Sequence, residues 1–142
     1  MTCFLSNIIN LGINVDTLDD CLCLLDGRLA HLHTLTVKIY NIQASMLDID
    51  STALTNLKYF SLTSCRYTKT YDSHVVPLLR RMIDLEQLMI CLTVNQRSTF
   101  IDDIHLENEI LIHMPRLRAF IFNIITYTLI INGVNQQSND EF

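Results

Sequence analysis

The stretch LTNLKYFSLTSC, residues 54–65, sets apolar side chains at Leu57, Phe60 and Leu62 with Lys58, Tyr59 and Ser61 between them. The beat is three, then two. A step of two is the period of a strand with one buried face, because successive strand side chains point to opposite sides. The step of three before it reads as an anchored turn that leads the chain into the strand. The same beat recurs at Ile8/Leu11/Ile13, Leu32/Leu35/Val37, Leu85/Leu88/Ile90 and Leu117/Phe120/Phe122. All fifteen positions are Leu, Ile, Val or Phe, and the first anchors lie 24, 25, 28 and 32 residues apart. Self-similarity at a period of this order is the mark of a stacked-repeat protein. One unit cannot bury its apolar face alone, whereas stacked neighbours can.

Between the strands the period changes to that of a helix. VDTLDDCLCLLDGRL places Leu18, Cys21, Leu22 and Leu25 on one helical face, with Asp16 or Thr17 to cap it and Gly27 to end it. SHVVPLLRRMI places Val75, Val76, Leu79, Met82 and Ile83 together, with Pro77 tolerated in the first turn. DDIHLENEILIHMP runs from an acidic start at Asp102 and Asp103 to a stop at Pro115, with Leu106, Ile110 and Met114 inward. The linker from Asn41 to Ala53 carries only a weak pattern, one short turn near Ser45 to Asp48.

Of the 142 residues, 49% are hydrophobic and 18% charged, which suits one folded domain. A net charge of −5 argues against a non-specific nucleic-acid surface, which needs a basic face to neutralise phosphates. Arg80 and Arg81 form the one basic pair, read as a solvated helix face. Five cysteines make an odd count without a disulfide framework, so most read as small buried residues in a reducing compartment. The start, MTCFLSNIINLG, lacks the basic region and small-residue cleavage site of a signal peptide. The longest apolar run, residues 119–131, is too short for a membrane helix and includes Asn123, Thr126, Tyr127 and Thr128. These features predict an intracellular chain, cytoplasmic or nuclear, with no nucleic-acid or membrane partner.

LxxLxL followed by a helix at this period resembles a leucine-rich repeat. In LKYFSLTSC, Cys65 falls where that consensus puts Asn or Cys to bridge turn backbone between coils; Asp16, Tyr40, Thr93 and Ile125 occupy the place in the other units. LDDCLCLLDGRLAHLHTLTVKI, HVVPLLRRMIDLEQL and HLENEILIHMPRLRAF further resemble divergent F-box-associated leucine-rich proteins, over roughly residues 5–134. The resemblance implies an α/β leucine-rich-repeat-like solenoid of about five irregular repeats, with parallel strands on its concave face. It implies a substrate-binding module, joined through an F-box to a ubiquitin-ligase scaffold. The F-box's amphipathic Leu-Pro-x-Glu helix cluster does not precede the first repeat. The expected organisation is a solenoid over residues 1–134, a fragment of a longer array, and a polar, disordered tail over 135–142.

Side chains between the inward ones belong to the opposite face of the strands. They form three columns: Asn10, Thr34, Tyr59, Gln87, Ala119; Gly12, Thr36, Ser61, Met89, Ile121; and Asn14, Lys38, Thr63, Cys91, Asn123. Lys38 is the one charge among them. The candidate protein-binding surface is Thr34, Thr36, Lys38, Tyr59, Ser61, Thr63, Gln87, Met89, Cys91, Ile121 and Asn123. The expected function is non-catalytic protein binding, with no cofactor and no metal. Two alternatives stand beside it. One is a metal-dependent enzyme using His105, Glu109 and His113, spaced i, i+4, i+8, although HLENEILIH is not HExxH. The other is a structural or truncated solenoid without a partner of its own. The Cys21-Leu-Cys23 spacing sets the two thiols apart on a helix. Asp48 and Asp50 lack the glycine and distal Glu of a calcium loop, and the three glycines are isolated, so no phosphate-binding loop is present.

Overall fold

A computed structural model describes residues 8–25, 31–42, 54–97, 101–128 and 137–141. Each beat of three and two forms a strand: β1 (Asn10–Val15), β2 (Thr34–Ile39), β3 (Tyr59–Ser64), β4 (Gln87–Arg97) and β5 (Ala119–Thr128). The five lie side by side in chain order, each parallel to the next, and β6 (Gln137–Glu141) closes the far edge antiparallel to β5. The α/β class expected from the sequence is the class observed.

Register explains the repeat. Leu11, Leu35, Phe60, Leu88 and Phe120 form one row across the sheet, and Ile13, Val37, Leu62, Ile90 and Phe122 the next. The nine repeat positions of the middle three units are at most 3% exposed. The end units are shallower: Ile8, Leu11, Ile13, Leu117 and Phe120 are only partly buried. Backbone bonds carry the ladder past the strand ends, from Tyr40 N–H to Val15 O and from Cys65 N–H to Ile39 O, both at 3.0 Å.

The returns supply the other wall of the core. α1 (Leu18–Leu25) buries Leu18, Cys21 and Leu22. Thr17 caps it: the Thr17 hydroxyl and the Asp20 carboxylate bond each other at 3.2 Å and each accepts from the other's backbone N–H. A π-helical turn over Tyr71–Val75 runs into α2 (Val76–Arg80), with Pro77 in its first turn. α3 (Asp103–Glu109) starts on Asp102, whose carboxylate accepts from His105 N–H at 2.8 Å. A 3-10 turn, Leu111–His113, follows. The expected inner face of Leu106, Ile110 and Met114 is buried.

Five details differ from expectation. Arg81, read with Arg80 as a solvated helix face, is buried. Ile83 is exposed while Tyr71 and Leu78 are buried, because the π turn and a five-residue helix break the 3.6 period assumed for that segment. Of the four described cysteines only Cys21 is buried; Cys23, Cys65 and Cys91 are exposed and free. Cys65 therefore bridges no turn. Thr68, fully buried, takes that role: its hydroxyl donates to Ile42 O at 2.8 Å, and its own backbone bonds Thr93 O and Asn95 N–H, each at 2.8 Å. Finally, residues 137–141 of the tail, expected to be disordered, pair as β6, because a strand edge offers backbone partners that composition does not count. Gly27 and the Ser45–Asp48 turn lie outside the described residues.

Candidate functional site

Alternation that drives the apolar rows inward sends the intervening side chains to the opposite face. Register joins Asn10, Thr34, Tyr59, Gln87 and Ala119 into one column, Gly12, Thr36, Ser61, Met89 and Ile121 into a second, and Asn14, Lys38, Thr63, Cys91 and Asn123 into a third. Among the described residues no helix covers this face: Thr36, Lys38, Tyr59, Gln87, Met89, Cys91, Ile121 and Asn123 are exposed, and Thr34, Ser61 and Thr63 are half-buried. At about 4.8 Å between strands and about 6.6 Å between same-face neighbours, the fifteen positions span roughly 19 by 13 Å.

The face is graded. Its β1–β2 end carries Asn, Gly and Thr. Its β4–β5 end carries large apolar groups, with Met89 and Ile121 directly opposite each other and 44% and 52% exposed. Tyr59, 42% exposed, stands one strand away. A shallow depression of about 440 Å³ is lined by Thr34, Thr36, Tyr59, Ser61, Met89 and Ile121, among others. Lys38, exposed in the third column, is the one charge among the fifteen positions; at the rim by the strand starts Arg118 and Glu86 approach to 4.0 Å and Arg116 and Asp84 to 3.7 Å.

Beyond the third column, Tyr40 is 54% exposed, and the Arg66 guanidinium lies over its ring, 5.9 Å from the centroid. Arg66 also donates to the Tyr40 hydroxyl at 3.5 Å, a bond that holds its pKa above the ordinary arginine value. Sequence reasoning treated Tyr40 only as a departure from a repeat consensus. Carrying the alternation one step further would have added Tyr40 and Cys65 to the face.

His105, Glu109 and His113 do not come together. The helix ends at Glu109 and Ile110 leaves helical geometry, so the i, i+4, i+8 line stops before His113. Arg80 engages Glu109 twice, through its carboxylate and, at 2.8 Å, its carbonyl. The His105 ring lies against Tyr71, centroids 5.7 Å apart. Among the described residues no three His, Cys, Asp or Glu side chains gather as a metal site, and no helix is long and apolar enough to cross a membrane.

Fold and site together define an α/β protein whose parallel sheet is apolar and helix-backed on one side and, among the described residues, open on the other. The chain matches no model of a known protein family, and neither curated proteins nor solved structures give a significant match.

Proposed function

We propose that the chain is a protein-interaction module that binds through the open face of its sheet and performs no turnover. One observation carries this reading: the five-stranded parallel part of the sheet is bare of described structure on one side. Parallel sheets otherwise occur almost entirely with both faces covered. The bare side holds a depression with Tyr59, Met89 and Ile121 exposed around uncharged hydroxyl and amide groups, the chemistry of an interface centre.

The finer architecture in this reading is a leucine-rich-repeat-like solenoid of about five irregular repeats. Sequential strand order, in-register stacking and a single apolar interior support it. The specific version rests on resemblance: the target-recognition part of an F-box-type ubiquitin-ligase receptor, intracellular, reaching its scaffold through an F-box that these residues do not contain.

The test compares proteins retained by the immobilised chain with those retained by Tyr59→Asp and Met89→Asp. Both side chains are exposed, so both variants should keep the native circular dichroism spectrum. The expected result is one shared set of proteins depleted about tenfold or more from both variants, as loss of a hot-spot residue requires. Two folded variants that retain the same proteins as the native chain would refute the face as the binding surface.

A further inference from the structure

The open face carries its charge at one corner and its apolar groups at the other. Lys38, on β2, is exposed. Two residues further along the chain, the Tyr40 ring carries the Arg66 guanidinium, so two cations mark that corner of a protein whose net charge is −5. Asp16 is exposed just past β1, yet among the described residues no carboxylate pairs with Lys38 or Arg66. Met89 and Ile121 stand two and three strands away from Lys38 and one same-face step nearer the strand starts. At about 4.8 Å per strand and about 6.6 Å per step, their backbone positions lie about 12 Å and about 16 Å from that of Lys38. Ser61 and Thr63, half-buried on β3, set hydroxyl groups between the two ends.

We propose that the open face takes an extended segment of a partner protein that carries a carboxylate and a large aliphatic side chain four residues apart. The carboxylate meets Lys38, and the aliphatic group enters the depression beside Tyr59, Met89 and Ile121. The proposal rests on the open-face reading and adds the ligand's chemistry to it. Spacing follows from the geometry, because residues four apart in an extended chain lie about 13 Å apart and on the same side. Sign follows from Lys38, with Arg66 adding attraction at the same corner. A lysine in place of the carboxylate meets like charge there and is rejected. Size follows from the footprint, roughly 19 by 13 Å or about 250 Å², which about six extended residues span. Each partner in a stable interface of two folded surfaces contributes about 800 Å², so this face alone does not hold a second copy of the chain.

The probe is a fluorescein-labelled peptide of Ser and Thr with one Asp and, four residues on, one Leu, titrated into the full chain and followed by anisotropy. Binding should saturate below about 1 mM peptide. Asn in place of the probe's Asp, or a spacing of five that turns the Leu to the other side, should weaken binding about tenfold with the protein unchanged. Lys38→Glu, at an exposed side chain, should weaken it about tenfold as well, and a probe with Lys for Asp should bind that variant better than it binds the native chain. A loss of fold alone would not produce that exchange of preference. Absence of binding at about 1 mM, equal binding of the Asp and Asn probes, or no exchange of preference overturns the proposal. Proteins lost from Tyr59→Asp and Met89→Asp while the native chain ignores the Asp probe would keep the open face and overturn this ligand. Proteins retained by both variants would remove the face, and the proposal with it.

Discussion

Replacing Thr68 by valine keeps its shape and removes one hydroxyl. That hydroxyl donates to Ile42 O at 2.8 Å, accepts from Thr70 N–H at 3.1 Å and meets the Thr70 hydroxyl at 3.2 Å. Thr68 is fully buried and Ile42 is 1% exposed, so water does not replace what is lost. A buried carbonyl left without its donor costs about 1–3 kcal/mol. Valine should therefore destabilise the protein by about 2 kcal/mol. Serine keeps the hydroxyl and loses one methyl, about 0.8 kcal/mol. Alanine loses both and should cost about 3 kcal/mol. Urea unfolding resolves the series. With a slope of about 2 kcal/mol per molar for a chain of this size, the Thr68→Val midpoint should fall by about 1 M. A valine midpoint within about 0.2 M of native, or a serine variant as unstable as the valine one, would refute Thr68 as the tie between the segments that follow β2 and β3.

The stacked core predicts a position effect at one register row. Leu35→Ala, at a side chain fully buried in the second strand, should cost about 2–5 kcal/mol, while Leu11→Ala in the half-exposed first strand should cost about 1 kcal/mol by the same unfolding assay. Asp102→Ala should lose about 1 kcal/mol with the N-cap of α3, and Asp102→Asn should keep most of it. A Cβ at Gly12 meets nothing within 4 Å, so Gly12→Ala should raise stability by about 0.5–1 kcal/mol through a less disordered unfolded chain, read as a higher urea midpoint.

The strands and their registration were legible because a strict period of two leaves no choice of face once five apolar rows must meet in one core. The three columns of the open face follow from the same constraint, so Tyr59, Met89 and Ile121 are found without any knowledge of a ligand. The returns were less legible. Around Tyr71–Arg80 the chain changes from a π turn to an α-helix, and no single period marks Leu78 as inward and Ile83 as outward. Thr68 was missed because a buried threonine, bonded to a carbonyl 26 residues away, leaves no local pattern. Arg80 and Glu109, which join α2 to α3, are likewise distant in sequence; the spacing around Glu109 offers a metal site only as an alternative and says nothing of Arg80. β6 was illegible for a different reason. Asn139, Asp140 and Glu141 disfavour strands, and pairing with β5, which no local pattern announces, makes a strand of them.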